Sequence, residues 1–131
     1  MKIINCVFSK NKLDFKKYIK TVDCDDIISY HDIISKLIKN DINSKRPSSI
    51  VVNTYIRRKI IKSLSGEGSI KIVYALKNLE EDTVKSIKNL MFEYCEHDLE
   101  FNLIIIKNKK NDLYISNSLA EEFSEIIWEE I

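Results

Sequence analysis

The run FNLIII, residues 101–106, constrains this chain more than any other segment. Only Asn102 interrupts its apolar character, and it does not alternate. A strand of that kind is buried on both faces, as in a parallel sheet covered by helices. KIINCVF (2–8) and IKIVYA (70–75) read the same way, and SIVVN (49–53) reads as a further strand. DLYIS (112–116) can return as an antiparallel strand after the polar turn KNKKND. VDCDDIIS (22–29) fits either a short strand or the lead-in to a helix.

Between these runs the apolar residues recur at helical spacing. Asp14 opens and caps a short helix with Phe15, Tyr18 and Ile19 on one side. Ile33, Ile34, Leu37 and Ile38 mark a second helix. Thr54 caps a third, TYIRRKIIKSL, with Ile56, Ile60 and Leu64 inward. SGEGS ends it, where glycine suits a cap and turn. Val84, Ile87, Leu90, Met91, Tyr94 and Cys95 form the broadest stripe, and Asn78 and Glu81 have capping-box spacing ahead of it. The closing segment, NSLAEEFSEIIWEEI, reads as a last helix with Ser118 and Glu121 at its start. Leu119, Phe123, Ile126, Ile127 and Ile131 form its apolar face, and its glutamates form an acidic one.

Strands alternating with helices predict βαβ units joined by right-handed crossovers. The expected fold is a single α/β domain over residues 1–131. It is a three-layer sandwich: a mostly parallel sheet of about five strands with flanking helices. A C-terminal antiparallel hairpin is an added option. A length of 131 residues suits one core. No apolar run approaches the roughly 18 uncharged residues of a membrane span, so no membrane partner is expected. The opening MKIINCVFSKNK is too short in apolar residues for a signal peptide, and three scattered cysteines suit a reducing compartment; both point to the cytoplasm. The abundance of Ile, Lys and Asn follows A/T-rich codons, which points to a phage or a low-GC bacterium as source.

The near-neutral total charge conceals a polarity. Residues 1–66 carry +8 and residues 67–131 carry −7. The basic part concentrates in Arg57, Arg58, Lys59 and Lys62, with Tyr55, Lys45 and Arg46 nearby. Those cations could contact phosphates, and Tyr55 could stack on a base. The acidic part concentrates at the C-terminus, where Glu122, Glu125, Trp128 and Glu129 could form an interface.

Several chemistries find no motif. Two glycines cannot build a phosphate-cradling loop, and the loop after the first strand, SKNKLD, has none. His31 and His97 lack zinc spacing, so no metal or cofactor is expected. Cys6 and Cys95 read as small core residues without a histidine partner. Asp23, Asp25 and Asp26 could hold a cation or act as bases, but they also suit a solvated turn.

The segment SIVVNTYIRRKIIKSL, followed by IKIVYALKNLEEDTVKSIKNL, resembles the middle of P-loop kinases of the polynucleotide-kinase and small-nucleoside-kinase type. Asn53 and Thr54 match a strand end in those proteins, and KIINCVF would be their first strand. The order of elements over residues 2–106 is similar. The family's Gly-rich loop, lysine and Ser/Thr have no counterpart in residues 9–14. The resemblance therefore implies the fold and not ATP-dependent phosphoryl transfer.

The leading expectation is a non-enzymatic protein that binds another protein or a second copy of itself, in an accessory, regulatory or virion-associated role. The alternatives are a nucleic-acid-binding module using helix 55–64 and a small nucleotide-kinase-like phosphotransfer enzyme. The enzyme reading would draw on Asp25, Asp26 and Arg57. It requires convergent polar groups at the carboxyl ends of the strands.

Overall fold

A computed structural model describes residues 1–43, 45–66, 68–95, 99–107 and 114–130. Its elements run β1 (Lys2–Ser9), α1 (Lys12–Ile19), β2 (Asp26–Ser29), α2 (Tyr30–Asn40), α3 (Ser49–Leu64) and β3 (Ile70–Ala75). They continue with α4 (Glu81–Cys95), β4 (Leu99–Lys107), α5 (Asn117–Ala120) and β5 (Glu125–Glu130). The five strands form one sheet in the order β2-β3-β1-β4-β5, and every neighbouring pair is parallel. The α/β sandwich expected from the apolar runs is the observed architecture.

The chain leaves β1 in one direction across the sheet and all later crossovers move in the other. Right-handed crossovers therefore put α1 on one face and α2 to α5 on the opposite face. Packing agrees. Phe15 and Tyr18 of α1 lie against Val7, Val73, Ile104 and Ile106. The other helices bury the larger core with Ile4, Cys6, Ile72, Phe101, Leu103 and Ile105. The layers are unequal, because α1 has no fully buried side chain.

SIVVN is not a strand. It forms the first turns of α3, which spans Ser49–Leu64. Its β-branched residues favour strands locally, but Val52 continues the inward row Val52, Ile56, Ile60 and Leu64. Each of those side chains gains about 1.5–3 kcal/mol on burial, more than the propensity difference. Ser48, not Thr54, caps the helix, accepting from the Val51 N–H at 3.4 Å. Asn53 and Thr54 therefore sit within a helix, not at a strand end.

The C-terminal segment is also corrected. Ser116 caps α5, which ends at Ala120. Phe123 is then buried, its ring stacked on Phe101 with centroids 5.1 Å apart. Ser124 N–H donates to the Phe101 carbonyl at 2.8 Å and starts the pairing of β5 with β4. β4 is buried along most of its length, so an unpaired side there would leave backbone groups without partners. That cost favours the strand over a longer amphipathic helix.

Two smaller expectations also change. Asn11, not Asp14, caps α1. VDCDDIIS supplies β2. Of the expected hairpin strand, residues 112 and 113 and most of the turn before it lie outside the described residues. Tyr114–Ser116 are not in a strand. His97 also lies outside the described residues. Gly68 has φ +93°, the left-handed conformation that suits the turn between α3 and β3.

Candidate ligand cleft

The direction of chain travel reverses at β1. α1 leaves β1 toward one face, while α4 leaves β3 toward the other. A crevice opens at such a point, outside the carboxyl ends of the strands. Here it is a cleft of about 540 Å³. The end of β1 brings Ser9 and the turn after it Lys10, α1 brings Lys12 and Lys16, and the turn after β3 brings Lys77. Ser29, His31 and Asp32 enter from the junction of β2 and α2.

Local structure fixes this rim. Asn11 Oδ1 accepts from the Leu13 N–H at 2.8 Å and starts α1 within two residues of the strand end. Ser9 closes the turn, accepting from the Asn11 N–H at 3.2 Å and donating to the Asn11 carbonyl at 2.8 Å. Lys12 and Lys16 then share one face of α1, four residues apart. Leu76 N–H donates to the Val7 carbonyl at 2.8 Å and holds the β3 exit beside β1.

None of Lys10, Lys12, Lys16 and Lys77 is in an ion pair among the described residues. Asp32 is the only carboxylate lining the cleft among the described residues. The Lys77 ammonium sits 5.0 Å from the centroid of the Tyr30 ring, a cation–π contact that holds it at the junction of two cavities. The second cavity, about 430 Å³, lies between α3 and α4 and shares Ala75 and Lys77 with the first. Ile56, Ile60, Ile87 and Leu90 supply apolar wall; Asn53, Arg57, Asn78 and Thr83 supply polar groups. Together the two cavities offer a cationic end and an amphiphilic extension.

The basic cluster on α3 is divided by its helix. Arg57 lines the cavity against α4, while Arg58, Lys59 and Lys62 line a separate groove against α2 with Tyr55. Lys59 is engaged there, donating to the Ile27 carbonyl at 2.8 Å and pairing with Asp26 at 3.7 Å.

Asp25 and Asp26 lie at the amino end of β2, across the sheet from the cleft, so they do not join Arg57. Asp25 Oδ2 accepts from the Lys71 N–H at 2.7 Å, and Ser63 donates to Asp26 Oδ2 at 2.8 Å. Among the described residues, no three His, Cys, Asp or Glu side chains gather as metal ligands.

Glu122 is half-buried and pairs with Lys88 at 3.5 Å. Glu125, Trp128 and Glu129 lie on β5 and are exposed. Basic α3 and acidic β5 stand at opposite flanks of the sheet and do not neutralise each other. Burial holds the Cys6 thiol and the Tyr74 hydroxyl well above their ordinary pKa values. Burial also raises Cys24, reinforced by Asp23, Asp25 and Asp26. Neither thiol is activated as a nucleophile.

SKNKLD lacks the glycines of a phosphate loop, so the signal for this cleft lies in its cations and not in a motif. Lys10, Lys12 and Lys77 lie within three residues of strand ends, and that position is the available signal. No family, curated protein or solved structure matches this chain detectably.

Proposed function

We propose that this protein binds a small phosphate-bearing ligand at the carboxyl end of its sheet. The observation that carries this reading is the gathering of Lys10, Lys12, Lys16 and Lys77 around one cleft with a single carboxylate among the described residues. Like charges held together repel, and a bound anion relieves that repulsion. Lysines bind phosphate as point charges, without the fixed fork of arginine. An apolar part of the ligand would extend past Lys77 toward Ile87 and Leu90.

Calorimetric titration with inorganic pyrophosphate, adenosine diphosphate and adenosine tests this reading. Both phosphate compounds are expected to bind, adenosine much less, and added salt should weaken binding through screening. Replacing Lys12 and Lys77 together by Glu should lower the affinity at least tenfold. Absence of binding at millimolar concentrations, or binding indifferent to both substitutions, would exclude the cleft as an anion site.

A further inference from the structure

Among the described residues β5 is paired on one side only. Its neighbour is β4, and no described strand lies along its other side. The Phe101 carbonyl faces β5, and with Leu103 opposite Ile126 the groups of Glu125, Ile127 and Glu129 bond to β4, so strand alternation turns the backbone groups of Ile126, Trp128 and Glu130 outward. An open row of donors and acceptors can receive another strand. The opposite edge is less available. β2 has four residues, and Lys59 of α3 already reaches over it to the Ile27 carbonyl.

We propose that β5 docks an extended basic segment of a partner protein, which adds as an outer strand. Charge sets the occupant. Glu125 and Glu129 are exposed on one face of the strand, two positions either side of Ile127, and neither is in an ion pair among the described residues. A segment with cations four residues apart and an apolar residue between them would set opposite charges across the ladder. On the other face Trp128 is 46% exposed beside half-buried Ile126, a suitable anchor for an apolar side chain. A second copy fits worse, since antiparallel self-pairing centred on Ile127 sets Glu125 against Glu129 twice. The glutamates that discourage self-association thus select the sign of the partner.

Trp128 is the only tryptophan, so its emission reports directly on this edge. The probes are a synthetic peptide of β-branched residues with lysines four positions apart and a twin with glutamates in those places. The lysine peptide should shift Trp128 emission and bind at least tenfold more tightly than its twin. Replacing Glu125 and Glu129 together by Lys should reverse that preference. Glu130→Pro removes an outward donor at an edge position where proline is tolerated. It should abolish the response, whereas Glu130→Gln keeps part of it. If the proline variant fails to fold, the charge reversal still decides. Equal binding of the two peptides, or an unmoved Trp128 emission, overturns the proposal. So does a stable dimer at micromolar concentration by light scattering, which assigns the edge to a second copy.

Discussion

The two ends of the sheet treat their charged residues in opposite ways. At the amino end, polar groups satisfy one another. Lys2 donates to the Leu64 and Gly66 carbonyls and so closes the C-terminus of α3. Asp25 clamps Lys71 through both its N–H and its carboxylate. Asp26 holds Ser63 and Lys59. At the carboxyl end, four lysines converge on one cleft and none is in an ion pair among the described residues. Paired charges hold the fold together; convergent cations without carboxylate partners leave an electrostatic demand that a ligand can meet. The contrast separates structural from functional polarity without reference to any motif.

The largest expected effect that would sharpen this contrast belongs to Leu64, the fully buried last residue of α3 at the amino end. Leu64→Ala should cost about 2–5 kcal/mol of unfolding free energy through lost transfer energy and a cavity. Chemical denaturation reads that loss, while pyrophosphate affinity of the folded protein should hold. Next comes Lys12→Glu with Lys16→Glu. Anion affinity should fall at least tenfold, about 1.4 kcal/mol, with the denaturation midpoint almost unchanged. A large stability loss there would break the contrast. Asp25→Ala is a smaller change, about 1 kcal/mol for one bond to an exposed backbone N–H, with binding intact.

The smallest effect concerns Lys85, a lysine of α4 that is paired. Glu81 holds it at 2.8 Å. Hydrogen bonds from Lys85 and then Ser118 pull the Glu81 carboxyl below its ordinary range. A lowered folded value means that the contact's contribution is complete above the unfolded glutamate value of about 4.3. It is lost as pH falls through the depressed value. A Glu81→Gln variant should therefore differ slightly from the parent in thermal midpoint at pH 7 and match it at strongly acid pH.

The central strands were legible because KIINCVF, IKIVYA and FNLIII are apolar on both faces, a pattern a surface helix does not need. SIVVN misled because its composition favours a strand, while the helical row from Val52 to Leu64 spans three further turns. NSLAEEFSEIIWEEI misled because Leu119, Phe123 and Ile126 also fit helical spacing. Only the open side of β4 decides between the two conformations, and that is a tertiary fact. The cleft was illegible for the same reason. Lys10 and Lys77 are far apart in sequence and meet only because β3 lies beside β1. Asn5 and Asn102 show the same limit. Each looks like a flaw in an apolar run, yet they are register partners, and Asn102 Nδ2 donates to Asn5 Oδ1 at 3.1 Å.

The lone helix on its face has a kinetic consequence. With no fully buried side chain, α1 has little holding it beyond Phe15 and Tyr18. Its amides should exchange with solvent through local opening, well before those of α3 and β4, which exchange only when the whole molecule unfolds. Lys12 and Lys16 ride on that helix. A ligand held by them would stitch α1 to the sheet, and the occupied cleft would appear as slowed deuterium uptake over residues 12–19.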